Sequence, residues 1–121
     1  MDHQASITKA LRDAIAHTGR TVTYRRGDAS AEVPMAPTRP DRRLVKSGEI
    51  LVQQAADMDW LVEAALLVLD DQVVTPGRGD RVEDAGAGTY EVLSIAGEDC
   101  YRPMDATATF LRIHTKRVRA T

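Results

Sequence analysis

Apolar residues recur at helical spacing clearly only once, near the start of the chain. Ile7, Leu11, Ala14 and Ile15 fall on one face of a helix over about residues 6–18, with Lys9, Arg12 and Asp13 opposite. Ser6 is placed to cap its start and Gly19 to stop it. The apolar stripe is thin, so this helix needs a partner surface, either the chain's own sheet or a neighbouring subunit.

Beyond Gly19 the pattern changes to period two. Thr21-Val22-Thr23-Tyr24 is a β-branched, alternating run, Arg25-Arg26-Gly27-Asp28 reads as a turn, and Ala31-Glu32-Val33 can return antiparallel. Pro34, Pro37 and Pro40 then follow at intervals of three. That spacing predicts an extended, edge-exposed segment and argues against a central strand. Asp41 to Gly48 is polar and basic, which extends the expected loop over residues 34–48. Loops of this length in small domains are often functional or become ordered on binding.

The stretch Glu49–Leu69 carries two readings. Glu49-Ile50-Leu51-Val52 looks like a strand. Ala55 to Leu69 has the Ala, Leu, Met and Glu content of a helix, yet Trp60-Leu61-Val62 reads equally as a buried strand followed by a helical turn at Ala64–Leu69. Asp70-Asp71-Gln72 and Pro76-Gly77-Arg78-Gly79-Asp80 are turn signals on either side of Val73-Val74. Farther on, Arg81-Val82-Glu83 and Thr89–Ile95 flank an Asp84–Gly88 turn as a hairpin, and Thr107 to Val118 reads as a last strand. On that strand Phe110, Arg112 and His114 lie opposite Leu111, Ile113 and Thr115. Short strands separated by Gly, Pro and Asp turns predict one mainly β domain over residues 1–121. Its expected form is a small antiparallel β-barrel or sandwich over about 21–118, behind an N-terminal α-helix.

Composition narrows the classes. At 121 residues the chain can bury a core unaided, and with 28% charged residues and no apolar run near the roughly 20 residues of a spanning helix, no membrane association is expected. The N-terminus lacks the basic-then-apolar pattern of a secretory signal, and the single cysteine, Cys100, fits a reducing compartment. Net charge is −2, but the charges are unevenly placed. Arg20 to Lys46 holds seven basic residues against three acidic, Glu49 to Asp105 holds thirteen acidic against three basic, and the tail after Asp105 is purely basic. Two faces of opposite sign, meeting head-to-tail between copies, would use this division; ordinary solvated faces would also produce it.

Chemistry-bearing constellations are absent from the sequence. His3, His17 and His114 stand far apart, with no partner at ligand spacing, so no metal is expected. Cys100 has no His partner motif nearby, and no serine sits in a nucleophile elbow. Gly77-Arg78-Gly79 and Gly86-Ala87-Gly88 lack the remainder of a phosphate-binding or dinucleotide motif and read as turns, and Arg78-Gly79-Asp80 reads as a turn entering a strand rather than an adhesion tripeptide. The expectation is a protein with no catalytic residues and no cofactor.

The C-terminal half carries a recognisable series. Trp60-Leu61-Val62, Val73-Val74-Thr75-Pro76, Arg78-Gly79-Asp80-Arg81-Val82, Thr89-Tyr90-Glu91-Val92-Leu93 and Leu111–Lys116 follow one another in a layout that resembles small phage neck proteins. These are the head–tail joining, head-completion or tail-attachment proteins. The N-terminal helix followed by Thr21–Tyr24 fits the same layout, so the resemblance spans about residues 6–118. It implies a strand through Trp60–Val62 and a short second helix at Ala64–Leu69. It also implies a homo-oligomeric ring, placed in the neck of a virion made in the host cytoplasm, that helps close the portal channel.

The partners so implied are portal or adaptor proteins of the head, tail-terminator or tail-tube proteins, and DNA in the channel lumen. Expected interface residues are the apolar face Ile7, Leu11 and Ile15 and the basic set Arg39, Arg42, Arg43 and Lys46, facing either an acidic neighbour or DNA. The rival reading is a stand-alone bacterial β-barrel module that binds a peptide or a nucleic-acid strand.

Overall fold

The alternating run after Gly19 forms a tight hairpin in the computed structural model, which describes residues 3–39, 43–47, 50–54, 57–95 and 99–119, with backbone alone for 3–5, 43–47 and 50–54. Strand β1 (Arg20–Arg26) turns through Gly27-Asp28 into β2 (Ala29–Thr38). Gly27 has φ +59°, the left-handed conformation that a two-residue hairpin asks of its first turn residue and that glycine adopts without steric cost. Ahead of them, helix α1 spans His3–Thr18. It begins three residues before the expected start, so Ser6 lies inside the first turns and is not the cap. Gly19 ends it as expected, its amide donating to the Ile15 carbonyl at 2.8 Å. A Cβ at Gly19 would stand 2.3 Å from the Ile15 oxygen and 3.0 Å from the Met35 oxygen, so only glycine lets the chain turn from α1 into β1 there.

The remaining strands are β3 (Arg43–Ser47), β4 (Ile50–Gln54), β5 (Met58–Glu63), β6 (Val68–Leu69), β7 (Gln72–Val73), β8 (Arg81–Asp84), β9 (Gly88–Val92), β10 (Tyr101–Pro103) and β11 (Phe110–Arg119). Six strands close an antiparallel barrel in the order β11-β5-β2-β1-β8-β9 and back to β11. β11 is ten residues long, enough to pair with one neighbour along its first half and another along its second. Residues Phe110 to Thr115 pair with β5, while Thr115 to Arg119 pair with β9 across a register shift between Arg117 and Arg119. β10 lies along the first half of β11 as an added edge strand. Two hairpins, β3–β4 and β6–β7, stand outside the main sheet.

Three expectations need correction. Most of the expected loop over residues 34–48 is strand: β2 runs through Pro34 and Pro37 to Thr38, and Arg43–Ser47 is strand β3, paired with β4, while Pro40, residues 41–42 and Gly48 lie outside the described residues. The prolines do not keep β2 at an edge. Pro34 lies in the part of β2 that pairs with β1, and Pro37 in the part that pairs with β5, so each has a neighbour in register on one side only. A missing N–H is tolerated there. The short second helix at Ala64–Leu69 reduces to a 3-10 turn at Ala64–Leu66 followed by β6. The preferred strand through Trp60–Val62 is observed as β5, against local helix propensity, because both of its faces are buried. Ala55 and Ala56 lie outside the described residues.

Inward side chains fill the barrel: Val22 and Tyr24 from β1, Val33 and Met35 from β2, Trp60 and Val62 from β5, Val82 from β8, Tyr90 and Val92 from β9, and Leu111 and Ile113 from β11. Trp60 and Tyr90 meet edge to face, with centroids 5.5 Å apart. A barrel this narrow is packed with side chains and encloses no channel. Outside it, Leu11, Ala14 and Ile15 of α1 lie on Ala36, Leu61 and Phe110, so the helix finds its partner surface on its own sheet.

One end of the barrel is plugged by the connection from β5 to β8. Leu67 and Leu69 insert into the core, and the Arg78-Gly79 turn delivers Asp80 beneath them. Asp80 is 3% exposed. It accepts hydrogen bonds from Arg26 Nε (2.9 Å) and Nη2 (2.8 Å), from the Gly77 amide (2.9 Å) and from the Tyr24 hydroxyl. Burial alone would raise the pKa of this carboxyl. The donors, Arg26 first, outweigh that and hold it below its ordinary value of 3.8. Burial, and then the neighbouring carboxylate, push the Tyr24 hydroxyl well above its usual range, so it remains a donor. The adhesion-like tripeptide thus has its aspartate locked inside the molecule.

The depressed Asp80 pKa makes its contribution present above the ordinary carboxylate range and lost as pH falls through the lower folded value. Asp80→Asn is therefore expected to cost about 2–3 kcal/mol at neutral pH and to flatten the loss of stability below about pH 4, measured by urea unfolding across pH. Equal acid sensitivity in variant and parent would show that the latch is not the acid-labile element. Gly19→Ala should cost about 1–3 kcal/mol through the clash with Ile15, read as a lower thermal midpoint.

Candidate interaction surface

β1 carries Arg20, Arg25 and Arg26, and β8 with the residue before it carries Asp80, Glu83 and Asp84; antiparallel pairing of the two strands brings these charges within reach, diagonally and at the strand ends. Arg20 meets Asp84 at 2.5 Å, Arg25 meets Glu83 at 3.0 Å, and Arg26 meets Asp80 at 2.8 Å. Arg20 also stands over the Trp60 ring at 5.7 Å. Part of the sequence's division into basic and acidic halves is therefore neutralised within one copy. The exposed members of these pairs are worth about 0–1 kcal/mol each. The two buried carboxylates, Asp80 and Asp84, need their arginines to be tolerable in the interior.

A third buried carboxylate lies on the outer face of β5 and β11. Asp59, 1% exposed, accepts from Arg112 Nε at 2.6 Å and contacts His114 Nδ1 at 3.1 Å. The strand register sets this up, since Asp59 lies opposite His114 and Leu61 opposite Arg112. Arg112 also donates through Nη2 to the carbonyl of Arg39. Arg39 is the last described residue before β3, so this arginine ties the root of the β3–β4 hairpin to the barrel wall. The sequence places Arg112 and His114 on one face of a strand but offers nothing that joins them to Asp59. His114, on this last strand, is 2% exposed.

Beside this anchor runs a cleft of about 350 Å³ between α1 and the barrel, lined by Leu11, Ala14, Ala36, Pro37, Leu61 and Met104, with Arg112 at its rim. Through Pro37 and Thr38 it continues toward Arg39, Asp57 and Met58 at the hairpin root. Of the expected interface residues, Ile7, Leu11 and Ile15 are half-buried, the last two against Phe110 and Leu61, and Arg39 is exposed at the root. Arg43 and Lys46 belong to β3, and Arg42 lies outside the described residues. Of the basic set, Arg39 is thus the member whose described side chain lies at the end of this cleft.

Both oxygens of Asp59 are engaged by Arg112 and His114. Cys100 is buried, its thiol pushed up by that burial, with Ser94 Oγ at 3.6 Å. Among the described residues, no group of three His, Cys, Asp or Glu side chains could hold a metal ion, and no helix is long and apolar enough to cross a membrane.

Because Asp59 is buried, removing its cation leaves an uncompensated charge. Arg112→Met should destabilise by about 3 kcal/mol, and adding Asp59→Asn should recover part of that loss. A double-mutant cycle by denaturant unfolding reads the coupling; strict additivity would show that the two groups act independently.

No curated protein and no solved structure matches the chain. A family model described as phage head-tail joining protein matches residues 1–121, the whole chain. A closed small barrel with an N-terminal helix, a hairpin set apart from it and an interior given over to packing agrees with a structural role, and the chain belongs to the family of phage head–tail joining proteins.

Proposed function

We propose that this protein is one subunit of a ring of identical copies in the phage neck, joining the DNA-filled head to the tail and helping to close the channel. The observation that carries the reading, within the family assignment, is the β3–β4 hairpin. By its register Val45, Ile50 and Val52 fall on one face and Leu44 and Leu51 on the other. A two-stranded hairpin outside the main sheet is marginal in water, and apolar positions on both faces ask for cover. In the proposed ring that cover is a neighbouring copy, with portal or adaptor proteins on the head side and tail-terminator or tail-tube proteins on the other.

Arg39, Arg42, Arg43 and Lys46 steer and register this contact, and the part of the Ile7/Leu11/Ile15 face left exposed adds apolar area. Exposed ion pairs contribute little energy and are screened over about 8–10 Å at moderate salt, so their effect falls on association rate and register. The channel's DNA is the competing target of the basic set.

Light scattering on the purified chain, alone and with portal-bearing heads, is expected to give a multiple of the subunit mass on the heads. A chain that neither binds heads nor self-associates would overturn the reading. Arg42→Glu with Arg43→Glu should slow assembly and weaken its salt dependence while leaving the melting transition in place. Unchanged assembly would remove the electrostatic part, and loss of DNA retention alone would place the basic segment against the channel.

A further inference from the structure

The two ends of the barrel differ in sign and each carries exposed apolar side chains. β11 begins at the plugged end, beside Glu63, and finishes about 30 Å away at about 3.3 Å per residue. Among the described residues, the exposed large apolar side chains are Leu66 (46%), Val73 (63%) and Val118 (44%). Leu66 and Val73 flank the β6–β7 turn at the plugged end. Val118 sits at the far end of β11, between Arg117 and Arg119.

The charges sort in the same way. At the plugged end Asp28, Asp70 and Asp71 are exposed; of the basic residues there, Arg26 is paired with Asp80 and Arg81 with Glu91, which leaves Arg78 as a counterpoise. At the far end Lys116, Arg117, Arg119 and Arg39 are exposed; Asp57 there accepts the Arg117 backbone amide, and Asp84 is buried on Arg20. Among the described residues, neither Asp70 and Asp71 nor Lys116, Arg117 and Arg119 have an ion-pair partner within their own copy. They cannot find one in each other, because they occupy opposite ends.

The turn itself is informative. Asp70 and Asp71 have φ of +50° and +65°, the conformation of a two-residue turn that Asn-Gly would adopt more cheaply. Two adjacent carboxylates add mutual repulsion to that conformational cost, and among the described residues no cation is paired with either.

We infer that the acidic β6–β7 turn of one copy, with Leu66 and Val73, docks on the basic end of β11 of a second copy, with Val118, as the repeating contact of the assembly. Complementary patches at opposite ends of one molecule generate a heterologous, head-to-tail contact, which closes into a ring when the rotation permits. The charges steer the approach and fix the register, and the three apolar side chains are desolvated together. The inference rests on the ring reading and specifies which surfaces carry it.

The test uses sedimentation velocity on the full chain across concentration and salt, with portal-bearing heads as a second readout. Asp70→Asn with Asp71→Gly supplies the turn's preferred residues, so it should fold at least as well as the parent while associating about tenfold more weakly. Lys116→Glu, Arg117→Glu and Arg119→Glu together should do the same to the other surface. A third variant, Asp70→Asn, Asp71→Gly and Gln72→Lys, makes the turn basic. Mixed with the acidic-strand variant it should associate where neither does alone.

Parental association by the first two variants would overturn the proposed contact and leave the ring reading standing on other surfaces. So would a mixture that fails to associate. An acidic-strand variant that assembles normally but no longer retains duplex DNA would assign the basic end to nucleic acid. A parent chain that stays monomeric both alone and on heads would bring down the ring reading together with this contact.

Discussion

Closing a sheet of six strands requires one strand to serve two neighbours that are not adjacent in sequence, and here β11 meets that requirement. Its first half completes one side of the barrel against β5, and its second half crosses to β9, with the register shift between Arg117 and Arg119 accommodating the change of partner. Much else depends on this. Closure removes the sheet edges that β5 and β9 would otherwise present to other chains. It also determines that Leu111 and Ile113 face the interior while Phe110, Arg112 and His114 face out, under α1 and beside Asp59. The plug follows as well, because an open barrel end would leave the core wet; Leu67 and Leu69 fill it and Asp80 fastens it.

Electrostatics in this molecule operate at two levels. Buried carboxylates are each held by an arginine from another strand: Asp80 by Arg26, Asp84 by Arg20 and Asp59 by Arg112. Such groups tolerate little change, because the loss of one partner strands the other charge in a poor solvent for it. What remains after these pairings is a smaller set of exposed charges, sorted by end. That residue of unpaired charge, rather than the total count of each sign along the sequence, is what a neighbouring molecule meets.

One part of the chain, the β3–β4 hairpin, is not used by the barrel. Hairpin β3–β4 enters and leaves between adjacent barrel strands, β2 and β5, so it can vary without disturbing closure. Its root is nevertheless held, through the Arg39 carbonyl on Arg112 and the Asp59 pair beneath it. A closed barrel with a tethered hairpin agrees with a structural role in head–tail joining.

Local sequence determined the elements whose cause is local. Helix α1 was legible from the spacing of Ile7, Leu11 and Ile15, its stop from Gly19, the β8–β9 hairpin from its turn, and the last strand from alternation. The mainly β class followed from strand length and turn chemistry, and the family from the order of strand and turn signals. Tertiary structure decided the rest. Pro34 and Pro37 stand within a strand that has barrel neighbours on both sides, because staggered pairing leaves each proline one open side, and no single-strand pattern records a stagger. Trp60–Val62 became a strand through burial on two faces, which overrides the propensity of its neighbours. The Asp59–Arg112–His114 cluster and the Asp80 latch join residues more than fifty positions apart, and the sign of each barrel end depends on which charges those pairings consume. A linear charge count cannot contain that information, because it is the fold that subtracts one half of the chain from the other.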